Sequence, residues 1–389
     1  VGDAVEAKAR LAAAVPANVR EVCARIAAAG FQAVTVGGAV RDVLLGREPG
    51  DWDVATSAHP NEVLGLFRHT IPTGLQHGTV TIVTGKGADS HVEVTTYRGE
   101  GAYTDARRPD SVVFGVPLAE DLARRDLTVN AIAYDVAADA LFDPFGGVAD
   151  LDAKRLRAVG VAVDRFTEDG LRVMRAVRFA AQLEFELDPE TEAGIPPALP
   201  SLAKVSRERV SDELRKILGV REPSRGLVLA DRTGILATIA PGLALDLAAP
   251  DRVAAEVRLA ALVAPIADRK RIADVLKALK FSNAEADLAA ALGGTVAAVR
   301  AAADPTALRR VLSSLGRPYA NEMAKLEPKA AAVLGDPLVL KELAITGTDL
   351  MGVATGRALG DLLAKLLDRV LAEPSLNTRD QLLALSGVR

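Results

Sequence analysis

Short runs of β-branched residues crowd into the first 150 positions and almost vanish after position 160. No other feature limits the possible folds as strongly. The runs are "AVTV" (33–36), "DVAT" (53–56), "GTVTIVT" (78–84), "HVEVTTY" (91–97) and "SVVF" (111–114). Gly, Pro and Asp separate them, the punctuation of a small mixed or antiparallel sheet with helices between its strands. "NEVLGLFRH" (61–69) reads as a short helix, and "LAEDLARRDLTVNAIAYDV" (118–136) as a helix ending in β-branched residues. Beyond them, "EDGLRVMRAVRFAAQLEF", "SRERVSDELRKIL" and most segments after 220 carry helical periodicity. Near the end, Leu359, Leu362, Leu363, Leu366, Leu367 and Val370 form one stripe that Pro374 terminates. The expected fold is α+β: a head over 1–150, a helical neck over 151–220, and a helical body and tail over 221–389.

Composition supports several domains and excludes some functions. A chain of 389 residues, 49% hydrophobic and 25% charged, has ample core material and exceeds one ordinary core. No apolar run reaches the ~18 residues of a membrane span, and the charged N-terminal segment lacks a signal-peptide layout. A single cysteine, Cys23, rules out an intrachain disulfide and suits a reducing cytoplasm. The four histidines (His59, His69, His77, His91) are scattered and form no zinc spacing. A formal charge of −4 argues against a generic nucleic-acid coater, so any such contact must come from a local patch.

Two features in "VTVGGAVRDVLLGREPGDWDVAT" (34–56) carry chemistry. On a strand, residues two apart share a side, so Asp51 and Asp53 would project together while Trp52 and Val54 pack behind. Paired carboxylates repel unless a cation sits between them, and Mg²⁺ suits oxygen ligands with positions left for phosphates. Alternatively, they are solvated residues on an edge strand. Glu93, alternating with His91 and Thr95, offers a third carboxylate if the two strands adjoin. Gly37 and Gly38 form a turn opening a helix, where backbone N–H groups bind phosphate. Arg41, one turn on, can add charge-assisted bonds to the same anion. The G-x-G-x-x-G and P-loop signatures are absent.

Apolar-Gly-Gly followed by Asp-apolar-Asp-apolar resembles the signature of the polymerase-beta nucleotidyltransferase superfamily. "VGGAVRDVLLGREPGDWDVAT" is closer still to the class II tRNA nucleotidyltransferases, the CCA-adding enzymes, and to their relatives the bacterial poly(A) polymerases. "ARRDLTVNAIAY" (123–134) resembles the second motif of that family, which implies that Arg125, Asp126 and Asn130, with Arg124 beside them, contact phosphates and ribose. Leu127 stands where an aromatic is common. "DPFGG" (143–147) resembles the hinge between head and neck, and "VSRERVSDELRKIL" (205–218) a neck helix that braces the template helix. "AGIPPALPSL" places three prolines where relatives continue a helix, which implies a local break.

"TEDGLRVMRAVRF" (167–179) matches the family motif that reads the base. Thr167 suits an N-cap, with Glu168 and Asp169 favourable at the positive helix end. Asp169 and Arg172, three apart, share a face with Arg175 nearby and Arg178 beyond. Cytosine and adenine both present an amino donor beside a ring-nitrogen acceptor. A carboxylate with a guanidinium complements that order and mispairs with guanine and uracil. Unpaired buried polar groups discriminate by on the order of 10⁴ in favourable cases, so one Asp/Arg pair selects C and A without a nucleic-acid template.

The resemblance implies addition of C and A to the 3′ end of tRNA from CTP and ATP. Asp51 and Asp53 would hold Mg²⁺, with Glu93 joining the catalytic carboxylates. Gly37, Gly38, Arg41, Arg125, Asp126, Asn130, Arg175 and Arg178 would bind the nucleotide, and Asp169 and Arg172 its base. The tail would reach from the acceptor stem of tRNA toward its elbow. A full-length Gly- and Tyr-containing loop within 93–114 favours A addition. Alternatives are an enzyme adding only A, a poly(A) polymerase, and a non-catalytic RNA-binding protein, against which the intact D-x-D argues. The sequence leaves the oligomeric state open.

Overall fold

The computed structural model describes residues 4–87, 90–100 and 112–387. They divide into two compact units, one of residues 1–214 with 225–239, the other of residues 215–224 with 240–389. Position 150 falls inside the first unit. The expected 1–150, 151–220 and 221–389 divisions are therefore functional proposals, not boundaries of compactness.

The first unit is built on a seven-stranded mixed sheet. Its strands are β1 (Ala33–Val36), β2 (Asp53–Thr56), β3 (Thr70–Gly74), β4 (Thr79–Val83), β5 (His91–Thr96), β8 (Ala133–Asp135) and β9 (Ala140–Phe142). The spatial order is β3-β4-β5-β2-β1-β8-β9. Only β2 and β5 run parallel; the other neighbours are antiparallel. A separate hairpin-like pair joins β6 (Arg98–Glu100) to β7 (Val112–Phe114). β1 is wholly buried, as its β-branched run requires of a central strand. Val34 and Val36 pack with Ala55, Tyr97, Leu122, Ala131 and Ala133 in the core.

Helices α1 (Ala4–Ala14) and α2 (Ala17–Ala28) precede the sheet. On α2, Val19, Val22, Cys23 and Ile26 make the buried stripe, and Cys23 is a free thiol. Helix α3 (Gly38–Leu44) follows β1 directly, and α4 (Pro60–Leu66) matches the short helix expected near 61–69. The long helix expected over 118–136 does not form. α5 (Leu118–Ala123) stops early, a 3₁₀ turn spans Thr128–Asn130, and the segment then enters the sheet as β8. Beyond the end of α5, Asp126 Oδ1 accepts the N–H of Leu127, which lies extended and bridges to Ala158. Pairing of β8 with both β1 and β9 outweighs the helical propensity of the sequence.

The "DPFGG" segment is a packed joint. Asp143 accepts N–H bonds from Gly147 and Val148 at the start of α6 (Gly147–Asp152). A Cβ on Gly147 would lie 2.3 Å from the Thr128 carbonyl oxygen. After it come α7 (Ala162–Glu168), α8 (Leu171–Leu183), α9 (Pro189–Ala193), α10 (Ile195–Leu202) and α11 (Arg207–Gly219). The helical interruption falls at Gly194. Pro196 and Pro197 occupy the first turn of α10, where their missing N–H groups have no intrahelical acceptor, and Pro200 lies inside it. Apart from the two-residue pairing of β10 (Arg155–Leu156) with β11 (Glu186–Leu187), no strand follows among the described residues.

The second unit is helical. Its helix Gly356–Ala372 carries the expected leucine stripe: Leu366 and Val370 are buried with Leu343, Ile345, Leu350 and Leu382, and Leu359, Leu362, Leu363 and Leu367 are partly buried against them. No helix among the described residues is long and apolar enough to cross a membrane.

Candidate active site

The register of three strands assembles one end of the site. Val36, at the end of β1, pairs with Asp53, at the start of β2, and Asp53 pairs with Glu93 on β5. The expected third carboxylate therefore does adjoin the pair. Gly37, one residue beyond β1, takes φ +76°, a conformation that favours glycine. A Cβ there would stand 3.1 Å from Arg125 Nη1, so the bare backbone makes room for that guanidinium, with Asp53 Oδ2 nearby at 4.0 Å. Gly38 opens α3 close to the Arg41 guanidinium.

Asp51 departs from expectation. It occupies a bend before β2, not the strand itself, although exposure still alternates from exposed Asp51 through buried Trp52 to exposed Asp53. Asp53 opens to the mouth of a concave surface while protein crowds around it. That desolvation, with the charges of Glu93 and Asp51 and against the pull of Arg125, raises its pKa to about 6.

The second motif supplies a network of cations and amides. Buried Asp121 on α5 accepts from Arg124 at 2.8 Å and Arg125 at 3.4 Å, fixing both arginines one turn on. Arg41 is buried and donates to Asn130 Oδ1 at 2.7 Å; Asn130 in turn donates to Asp126 Oδ1 at 3.0 Å. Asp126 Oδ2 accepts from Arg175 Nε at 2.7 Å. Burial alone would raise the Asp126 pKa, but the Arg175 charge and the Asn130 hydrogen bond hold it well below the usual carboxylate range. Asp126 and Asn130 thus join α3 to α8 through Arg41 and Arg175.

The segment expected to read the base is built differently from its sequence expectation. Thr167 is not an N-cap: α7 continues through it to Glu168, and α8 begins only at Leu171. Glu168 is therefore no first-turn residue. Its Oε2 accepts from Arg165 at 2.7 Å and from Arg172 at 2.6 Å. Asp169 receives the Leu171 N–H on Oδ1 and the Arg209 guanidinium of α11 on Oδ2, the latter at 2.7 Å. Arg172 also donates to the Arg165 and Arg124 carbonyls, at 3.0 and 2.9 Å. Both base-reading candidates are thus held by protein neighbours.

These parts meet in one open cleft of about 400 Å³. Gly37, Gly38, Arg41, Asp53, Arg125, Asp126, Asn130, Asp169, Arg172, Arg175 and Arg178 all line it; Asp51 and Glu93 stand outside its lining. Sequence reading missed Phe179 and Gln182 in the wall, Asp121 beneath the arginine pair, and Arg209 on Asp169. Helical spacing could have pointed to Asp121 through Arg124 and Arg125, to Phe179 through Arg175 and to Gln182 through Arg178; Arg209, forty positions from Asp169, had no local signal. The Gly- and Tyr-containing loop lies for the most part, at 101–111, outside the described residues.

The donor set fits a hard divalent cation. Among the described residues no three His, Cys, Asp or Glu side chains form a ready cation site. Asp53 beside Glu93 instead offers carboxylate oxygens at a cleft rich in arginines. Mg²⁺ in particular takes one or two carboxylates and completes its shell with water and substrate phosphates.

Comparison with known proteins gives a consistent picture. Residues 33–157 match the family described as "Poly A polymerase head domain". Residues 184–247 match "Probable RNA and SrmB- binding site of polymerase A". A CCA-adding enzyme of Geobacillus thermodenitrificans is 42% identical over 341 residues, 82% of this chain and 82% of that protein. The CCA-adding enzyme of Lactococcus lactis subsp. lactis is 47% identical over 217 residues, and there the chain spans 54% of the relative's length. The crystal structure of the Bacillus stearothermophilus CCA-adding enzyme in complex with CTP superposes with a TM-score of 0.72 at 32% identity, covering 95% of this chain and 96% of that one.

Proposed function

The chain belongs to the family of CCA-adding enzymes, and on that premise we propose that it adds C and A nucleotides to the 3′ end of tRNA, using CTP and ATP and releasing pyrophosphate. One observation carries the reading. A single cleft holds Gly37 and Asp53 at the sheet end and the Asp169–Arg172 pair on the helical side. A nucleotide spanning it would set its triphosphate at one end and its base at the other.

The chemistry follows from the residues. Arg41, Arg125, Arg175 and Arg178 bring positive charge to the triphosphate. Asp53, with Asp51 and Glu93 beside it, would hold the divalent metal ion that nucleotidyltransferases generally use, here proposed as Mg²⁺. When bound, the ion supplies stabilisation of negative charge on the reacting phosphate. The tRNA 3′ hydroxyl attacks the α-phosphorus, its proton leaves to the carboxylate pair, and the bond to pyrophosphate breaks. Asp169 accepts from the exocyclic amino group of C or A, and Arg172 donates to the adjacent ring nitrogen. Because Glu168 and Arg209 already hold these side chains, the site resists rearranging toward guanine or uracil. The buried free thiol of Cys23 suits a reducing compartment, and the activity is assigned to the cytoplasm.

The test is incorporation of single labelled nucleotides into tRNAs ending before, within and just short of CCA. Sequential C, C and A incorporation is expected. A alone would mark an A-adding enzyme, and long A tails a poly(A) polymerase. No incorporation of either nucleotide with Mg²⁺ present would sink the enzymatic reading.

A further inference from the structure

Three guanidinium groups converge on one aromatic ring in the wall of the cleft. Arg178 Cζ lies 4.0 Å from the ring centroid of Phe179, Arg41 Cζ 5.1 Å and Arg175 Cζ 5.4 Å. The ring is 5% exposed, and all four residues line the cleft. Arg41 comes from α3, the helix opened by Gly38, while Arg175 and Arg178 precede Phe179 on α8. Each arginine has its own acid: Asp42 for Arg41, Asp126 for Arg175 and Glu213 for Arg178. Arg41 and Arg175 are also linked through Asn130 and Asp126, and all three arginines meet the same ring.

Like charges this close repel, and long side chains free to move would turn apart toward water. A guanidinium within about 6 Å of an aromatic centroid is drawn to the negative face of the ring, more strongly when water is excluded. We propose that Phe179 is a positioning residue that holds Arg41, Arg175 and Arg178 toward the cleft and so presets the site for the triphosphate. The inference rests on the nucleotidyl-transfer reading above. It assigns the ring a role that aliphatic packing cannot fill, since leucine offers similar bulk and no quadrupole. It predicts a loss confined to phosphate affinity, because Asp169 and Arg172 are held by Glu168 and Arg209 instead.

The experiment uses the full chain with phenylalanine 179 replaced by its mono-, di- and trifluorinated analogues, which keep ring shape while withdrawing electron density from the face. Phe179→Tyr and Phe179→Leu complete the series. Binding of inorganic tripolyphosphate and of CTP is measured by calorimetry, with tRNA binding, melting temperature and UTP rejection followed alongside. Affinity for tripolyphosphate should fall stepwise with each fluorine, reaching about ten-fold, the scale of one to two such contacts. Phe179→Tyr should stay within about two-fold, and KM for CTP and ATP should rise together with kcat little changed. Equal tripolyphosphate affinity across the fluorinated series would overturn the proposal. If the unmodified chain binds tripolyphosphate but incorporates neither C nor A, the functional reading fails while the ring's role is still decided by the same trend. An unmodified chain that binds neither tripolyphosphate nor CTP overturns both.

Discussion

Asp53 and Glu93 are direct partners across the one parallel strand pair of the sheet, so two carboxylates share one side of it at the entrance to the cleft. Burial and this proximity both work against the charged form of Asp53. Desolvation first, then the Glu93 charge, raises the Asp53 pKa from 3.8 to about 6. A raised carboxyl pKa favours the protonated folded state. Its stabilising contribution is complete below the unfolded value and is lost as pH rises through about 6. Asp53→Asn should therefore raise the melting temperature of the metal-free protein at pH 8, and the gain should vanish near pH 3.5. A gain that persists undiminished at pH 3.5 would contradict the cost of burying the Asp53 charge beside Glu93.

The neighbouring aspartates Asp51 and Asp53 should govern catalysis. Asp53→Ala is expected to lower C incorporation by on the order of 10³ or more, the scale of removing charge stabilisation at a reacting phosphate. Asp51→Ala should also abolish incorporation, although Asp51 sits on a bend beside the strand. Filter binding of tRNA by both variants should match the unaltered chain. Loss of tRNA binding would point to misfolding or to a different role.

Base choice should depend on residues beyond the reading pair. Replacing Asp169 and Arg172 together should relax the preference for C and A over U and G. Arg209 holds Asp169 Oδ2 at 2.7 Å from forty positions away. Arg209→Met should narrow the CTP-to-UTP ratio of kcat/KM by about ten-fold, the order of one charge-assisted hydrogen bond. Steady-state kinetics with each nucleotide decides this. An unchanged ratio would leave Arg209 as a brace without influence on selectivity.

Stability should be sensitive at the joint behind the site. Asp150 is fully buried, accepts from Thr128 at 2.6 Å, and bonds Arg155 and Arg157. Burial raises its pKa, but the Thr128 and arginine hydrogen bonds outweigh that and leave it lowered. Asp150→Ala strands the Thr128 hydroxyl and should cost about 2 kcal/mol, since both arginines remain half in solvent. Urea denaturation measures the loss. A change under about 0.5 kcal/mol, the ordinary range for surface substitutions, would count against the network.

The sequence by itself determined the local pieces. "AVTV" and "DVAT" are strands at the expected residues because β-branched runs bounded by glycine and aspartate have few other uses. Helical spacing likewise brought Arg172, Arg175 and Arg178 to a single cleft, which Asp169 joins from the extended step before their helix. Long-range pairing was decided elsewhere. Residues 133–135 became β8 because β1 and β9 offered partners on both sides, which no local propensity encodes. Thr167 lost its expected capping role because α7 ran through it. Glu168 on Arg172, Arg209 on Asp169 and three arginines around Phe179 depend on how α3, α7, α8 and α11 pack. Periodicity reports which way a side chain faces along its own element; only packing between elements decides what it meets.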